Sequence, residues 1–240
     1  PLHGRFNLKP LTEFSVTRKR NGARTMIKGI IFDLDGVLVS TDEMHYLAWK
    51  RLADELQITG FTREDNRRQR GVSRMASLEI VLEKADRVYT GEEKAELAER
   101  KNNYYLELLE HMDESAVLKN VKEVLAGLKE RGLLLAVGSA SKNAPVILEK
   151  TGLLPYLDKI SCGLDTTKSK PDPEVFLVAA RKLELSPGQC LVVEDSAAGI
   201  EAAAAGGMKS LGVGSFYRLL HADYEAPMLC EVQNWDEILK

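Results

Sequence analysis

The stretch Met26 to Asp42 reads MIKGIIFDLDGVLVSTD, and its interpretation decides the fold. Ile30, Ile31 and Phe32 form a short unbroken apolar run, the pattern of a strand buried on both faces of a parallel sheet. Asp33 and Asp35 follow, with Gly36 directly after them. Side chains alternate along an extended backbone, so the two carboxylates point the same way while Leu34 points into the core. Carboxylates so placed repel each other and lose solvation unless a cation lies between them. Hard oxygen donors of this kind suit Mg2+. Asp before Gly is also ordinary turn chemistry, and the aspartates taken alone fit that reading too.

At 240 residues the chain has room for one large domain or two modest ones. A composition of 44% hydrophobic and 29% charged residues is that of a soluble globular protein. The net charge of −3 lacks the basic surplus of a general nucleic-acid binder, so no nucleic-acid partner is expected. No apolar run is long enough to span a bilayer, and no membrane partner is expected either. Cys162, Cys190 and Cys230 are scattered, with no CxxC, and read as small core residues in a reducing, cytoplasmic compartment. The four histidines show no HExxH and no paired metal spacing. A monomer is the expected state. Residues 1–25 are basic, with Arg5, Lys9, Arg18, Lys19, Arg20 and Arg24 against a lone Glu13. They lack the apolar core of a secretory signal. A transit-like peptide would share their Arg and Ser, but Met26 directly precedes the first core strand, so an upstream extension is the preferred reading.

After the aspartates the pattern turns helical. Leu47, Leu52 and Leu56 mark a helix from about Asp42 to Ile58, and Leu78, Ile80, Val81 and Leu82 mark another after Ser73. Thr90 with Glu93 makes a capping box that opens a long helix to about Met112. No strand pattern interrupts residues 42–114, which read as an all-helical insert. From Asn120 onward helices and strands alternate: helix Val121–Glu130, strand Leu133–Val137, a helix after Ser141, a weaker strand Ile160–Gly163 and helix Asp172–Leu183. Strand Cys190–Val193, a helix from Ala197 and strand Ser210–Val213 complete the series. Such alternation implies a parallel sheet covered on both faces, with the functional strand ends along one edge. The expected fold is therefore α/β, with a Rossmann-like core of residues 26–41 and 115–240 and a helical cap of residues 42–114.

Three more polar clusters fall at strand ends. Gly138-Ser139-Ala140-Ser141-Lys142-Asn143 leads into a helix, where a hydroxyl and free amides can receive an anion, although Ser141 alone fits a simple N-cap. Ser169-Lys170-Pro171-Asp172-Pro173 fixes the backbone around Lys170, which would present its ammonium as a point charge to a phosphoryl group. Val192-Val193 runs into Glu194-Asp195-Ser196, a second acidic pair able to complete a Mg2+ site with the first.

Four such clusters in this order, each at the C-terminal end of a strand, resemble the ordered motifs of the haloacid dehalogenase superfamily. The resemblance covers essentially all of residues 26–240. It extends to that superfamily's phosphosugar mutases through Gly71-Val72-Ser73-Arg74, Glu99-Arg100-Lys101-Asn102, Ser139-Ala140-Ser141-Lys142-Asn143, Glu194-Asp195-Ser196 with Ala198-Gly199-Ile200, and the pair His45 and Trp49. The resemblance implies that Asp33 is a nucleophile forming an aspartyl phosphate and Asp35 the general acid and base. It implies Mg2+ held by Asp33, Glu194, Asp195 and the carbonyl oxygen of Asp35, with Ser139 and Lys170 on the transferring phosphoryl group. Arg74, Ser141 and Asn143 would take the substrate's other phosphate, and His45 and Lys101 would face the hinge and sugar. Gly71, Val72, Ser73, Trp49 and Ala140 complete the expected substrate-binding set.

The implied reaction interconverts β-D-glucose 1-phosphate and β-D-glucose 6-phosphate through a glucose 1,6-bisphosphate intermediate. Asp35 separates this chain from the dehalogenases, which lack the second aspartate. Two alternatives stand beside it. A sugar-phosphate phosphatase of the same fold shares all four motifs, and His45, Arg74 and Lys101 weigh against it. A catalytically idle binding or regulatory protein would have no reason to keep so many costly buried charges.

Overall fold

A computed structural model describes residues 26–240; the basic extension of residues 1–25 lies outside the described residues. The apolar run after Met26 forms strand β1, Gly29–Phe32, buried along its whole length. It lies in the middle of a six-stranded parallel sheet with spatial order β3-β2-β1-β4-β5-β6. The other strands are β2 (Leu134–Gly138), β3 (Lys159–Ser161), β4 (Cys190–Glu194), β5 (Lys209–Gly212) and the two-residue edge strand β6 (Tyr224–Glu225). Phe32 is in register with Val137 on one side and Val193 on the other. Asp33, the β2 end and the β4 end therefore emerge side by side. This is also where the strand order reverses direction, the crevice in which open α/β sheets place their ligands.

Alternation along the strands assigns each side chain to one of two apolar layers. Ile30, Phe32, Leu135, Val137, Leu191 and Val193 pack on one face with Val121, Leu125 and Leu128 of α5 (Val121–Glu130) and Ile147 and Leu148 of α6 (Ala144–Lys150). Ile31, Ala136 and Val192 pack on the other with α7 (Glu174–Lys182) and α8 (Ala197–Ala205). The sheet is thus covered on both sides, as its uninterrupted apolar strands require. Cys162 and Cys190 are buried, Cys230 is half-buried, and all three are free thiols.

Between β1 and α5 lie four helices: α1 (Asp42–Glu55), α2 (Arg63–Arg68), α3 (Arg74–Leu82) and α4 (Gly91–Leu109). They carry an apolar cluster of their own, formed by Trp49, Leu52 and Ala53 of α1, Leu78 and Val81 of α3, and Leu97 and Ala98 of α4. The chain enters and leaves this group through two segments that pair with each other, Ser40 N–H donating to Ala116 O at 2.8 Å and Leu118 N–H to Leu38 O at 3.0 Å. The molecule is an α/β protein with an all-helical insert.

Some local expectations are corrected. Leu47 does not face the core; it is exposed, and α1 buries Ala48, Trp49, Leu52 and Ala53 instead. Helix α4 ends at Leu109, short of Met112. Helix α2 has no apolar stripe and is held by a Thr62–Asp65 capping box and by ion pairs from Arg67 to Glu64 and from Arg68 to Glu83. Strand β6 and α9 (Trp235–Ile238) are too short to leave a periodic pattern. No helix among the described residues is long and apolar enough to cross a membrane.

Candidate active site

The ends of β1, β2 and β4 face the helical insert across a cavity of about 910 Å³. Its wall on the sheet side includes Asp33, Asp35, Ser139, Ala140, Ser141, Asn143, Lys170 and Asp195. The insert contributes His45, Trp49, Gly71, Val72, Ser73, Arg74 and Lys101. Glu194 lies just beneath, fully buried. The site residues expected from the sequence are therefore brought together around one space.

At the floor, Lys170 donates to Asp33 Oδ1 at 2.5 Å and to Glu194 Oε1 at 2.6 Å. The Lys170–Pro171 bond is cis. Pro171 and Pro173, the latter at the N-cap position of α7, restrict the backbone that follows the lysine. Burial pushes the Lys170 ammonium down, but Asp33 and Glu194 outweigh it and hold it above its ordinary value. The other oxygen of Glu194 accepts from the amides of Asp195 and Ser196, both at 2.8 Å, and from the Ser196 hydroxyl at 2.9 Å. Ser196 Oγ in turn caps α8 by accepting from Gly199 N–H at 3.1 Å. The acidic cluster is thereby built on a helix N-terminus and held by main-chain donors.

Asp33, Glu194 and Asp195 each offer an oxygen within 4.8 Å of the others. Burial raises the Asp33 carboxyl, helped by Glu194 and Asp35 and opposed by Lys170. Burial likewise raises Asp195, with Glu194 and Asp33 adding to it. The lysine alone does not compensate so much buried negative charge. Three hard oxygen donors in mutual reach with a deficit of positive charge match the demands of a divalent cation. Gly36, at φ +87°, lets the loop after β1 pass against the Asp195 carboxylate, which a Cβ there would overlap.

Asp35 is raised by burial, against the opposing hydrogen bond it accepts from the Thr41 hydroxyl. Thr41 is fully buried at the N-cap of α1, yet its side chain caps nothing. A Thr ahead of Asp42 and Glu43 reads as an ordinary cap in the sequence, which concealed this contact. Ser139 Oγ accepts from Ser141 N–H at 3.1 Å, and Ser141 Oγ from Asn143 N–H at 3.2 Å. The turn after β2 is thus ordered by its own hydroxyls.

On the insert side, Lys101 is buried with its Nζ 2.9 Å from His45 Nδ1 and 4.7 Å from the ring centroids of both Trp49 and Tyr105. The His45 ring stacks on Tyr105 at 4.2 Å. Burial, with Arg74 adding to it and Asp35 opposing, brings Lys101 down to about 7. Burial, then Lys101 and Arg74, hold His45 well below its ordinary value. Trp49 belongs chiefly to the core of the insert, at 2% exposure, and also lines the cavity. Tyr105 and Asn102 line the cavity as well; Tyr105 had no motif to mark it, and Asn102 stood in the Glu99–Asn102 run without a role of its own. Arg74 opens α3 behind the N-cap Ser73, whose hydroxyl accepts from Ala76 N–H at 3.2 Å. Gly71, at φ +71°, brings the insert against Ser196.

A family model described as haloacid dehalogenase-like hydrolase matches residues 27–207. The chain is 40% identical over 199 residues to the β-phosphoglucomutase of Bacillus subtilis, covering 82% of this chain and 88% of that protein. It is 29% identical over 208 residues to a phosphorylated carbohydrates phosphatase of Thermotoga maritima, covering 85% and 91%. The crystal structure of a β-phosphoglucomutase from Clostridium difficile superposes with a TM-score of 0.82 at 35% identity, over 89% of this chain and 96% of that one. With the matched residues spanning all four strand-end clusters, the chain belongs to the haloacid dehalogenase-like hydrolase family.

Proposed function

We propose that the protein is a phosphosugar mutase interconverting β-D-glucose 1-phosphate and β-D-glucose 6-phosphate through an aspartyl phosphate on Asp33 and a glucose 1,6-bisphosphate intermediate. One observation carries the reading: the cavity holds phosphate-competent groups at both ends, Lys170 and Ser139 beside Asp33 and Arg74 across from them on the insert. A phosphatase needs only the first end. A mutase must also hold the bisphosphate by its second phosphate, so that the sugar can return in the opposite orientation. The 40% identity to the Bacillus subtilis β-phosphoglucomutase supports the same choice.

Asp33 would attack phosphorus while Asp35, whose protonated form is favoured by burial, gives a proton to the departing sugar oxygen. Asp35 then takes the proton from the hydroxyl that attacks the aspartyl phosphate. Thr41 holds the Asp35 carboxyl in place through both halves. Lys170 and Ser139 would steady the transferring group, and phosphoryl transfer depends above all on such positioning and charge neutralisation. Asp33, Glu194, Asp195 and the carbonyl oxygen of Asp35 would hold Mg2+, which when bound supplies further neutralisation of the phosphoryl charge. Ser141 and Asn143, with Arg74, would receive the second phosphate. Residues 42–114 would act as a cap over a core of residues 26–41 and 115–240, keeping water from the phospho-enzyme.

The test is turnover of β-glucose 1-phosphate with Mg2+. Glucose 6-phosphate should form after a lag that catalytic β-glucose 1,6-bisphosphate removes. Phosphate release in step with substrate loss, without glucose 6-phosphate, would favour a phosphatase instead, as in the Thermotoga maritima relative. Asp33→Asn should remain folded and lose at least about three decades of turnover, roughly 4 kcal/mol of barrier lowering.

A further inference from the structure

Arg74 makes two contacts that pull it in different directions. Its Nη2 donates to Asn102 Oδ1 at 2.8 Å, while its Nη1 lies 3.3 Å from Glu99 Oε2. The same Asn102 oxygen accepts from Asn143 Nδ2 at 3.1 Å. Asn102 belongs to α4 and is buried, Arg74 begins α3, and Asn143 stands at the N-cap of α6 beside the sheet. One neutral oxygen thus gathers a guanidinium from the insert and an amide from the core. Only an oxygen can accept from a guanidinium, so the partners settle which way the Asn102 carboxamide is turned. The Glu99 side chain is 64% exposed, and pairing with it draws Arg74 toward solvent.

We infer that Asn102 is a positioning residue that holds Arg74 over the cavity, beside Asn143 and away from Glu99, before substrate arrives. The inference rests on the mutase reading, in which Arg74 and Asn143 receive the non-reacting phosphate. Two donors already convergent on one point spare the substrate the cost of ordering them. The neutrality of the acceptor is essential. A charged phosphate oxygen attracts both donors more strongly than an amide oxygen does, so they pass to the ligand. A carboxylate at the same place would retain Arg74 and repel the phosphate.

Calorimetric titration with glucose 6-phosphate in Mg2+ tests this on the whole protein. Four forms are compared: wild type, Asn102→Ala, Asn102→Asp and the double variant Glu99→Gln/Asn102→Ala. Melting temperature and hydrolysis of p-nitrophenyl phosphate verify that each is folded with a working reacting end. Asn102→Ala should weaken binding about tenfold and Asn102→Asp by more, while Glu99→Gln in the alanine background should restore most of the loss. A purely structural role predicts otherwise: the near-isosteric aspartate would be the milder change, and removing the Glu99 charge would rescue nothing. Undiminished affinity in Asn102→Ala, or no recovery in the double variant, overturns the inference and leaves the mutase reading intact. A wild type that hydrolyses p-nitrophenyl phosphate but does not bind glucose 6-phosphate overturns the mutase reading and this inference with it.

Discussion

Lys101 and Lys170 are both buried, yet their surroundings drive them in opposite directions. Lys170 sits between two carboxylates, which outweigh its desolvation. Lys101 has no carboxylate partner: an imidazole and the like charge of Arg74 stand beside it, and the ring faces of Trp49 and Tyr105 and the pull of Asp35 do not make up for its burial. Its value of about 7 in the folded protein lies below the ordinary lysine value of 10.5. Between those limits the unfolded chain binds more protons than the folded one, so this group makes stability rise with pH across that window. Below about pH 7 the full penalty applies, at roughly 1.4 kcal/mol per unit of displacement. Lys101→Met should therefore stabilise the ligand-free protein at pH 7 by at least about 1 kcal/mol, near 3 °C in Tm. The advantage should shrink as pH rises toward 10. Thermal melts at several pH values check the sign; a variant less stable at pH 7 would contradict it.

Helix α8 illustrates how an element can be shaped by what lies beneath it. An Ala in place of Gly normally strengthens a helix interior by about 1 kcal/mol. At Gly199 a Cβ would overlap the Glu194 carboxylate, a clash with a fully buried group already held by four donors. The steric term wins. Gly199→Ala should lower stability by more than about 2 kcal/mol and displace Glu194 from Lys170 and from the acidic cluster, so affinity for Mg2+ falls as well. Denaturant melts and metal titration on the same variant measure the two effects. Gain of stability, as in an ordinary helix, would show that the space can be found. Gly71 has a similar part in the loop before α3, where its left-handed backbone and missing side chain admit the close approach to Ser196.

For the molecule as a whole, the acidic cluster at the sheet edge is a store of unfavourable charge. Asp33 and Asp195 are both raised because burial and mutual repulsion disfavour their ionised forms. A divalent cation that binds only the folded state should raise stability by mass action, about 2.7 kcal/mol at a hundredfold excess over its Kd. Adding Mg2+ should lift Tm by several degrees and chelation should reverse it. Asp195→Ala should remove most of the response. A Tm indifferent to Mg2+ in the wild type would argue that these carboxylates serve some other cation or none.

Much of this architecture is written locally. The run Ile30-Ile31-Phe32, the aspartates after it and the later alternation of strands and helices depend on neighbours a few residues apart, and periodicity reports such neighbours directly. The strand-end clusters were legible for the same reason: each is one turn at the end of one strand. Other features had no local signature. Helix α2 has charges where a stripe would be, and its stability comes from a capping box and cross-element ion pairs. The inward face of α1 is set by packing against α3 and α4, so Leu47 is left in solvent and Trp49 is buried. Thr41 reads as a cap but serves Asp35, and nothing in the Glu99–Asn102 run tells that Asn102 joins Arg74 to Asn143. The sequence by itself determined which segments are strands and helices and which ends carry charge, because hydrophobic periodicity and turn chemistry act over a few residues. Only the tertiary structure decided the placement of β1 between β2 and β4 and the meeting of insert and core around one cavity, because those contacts join residues far apart in the chain and exist only once it has folded.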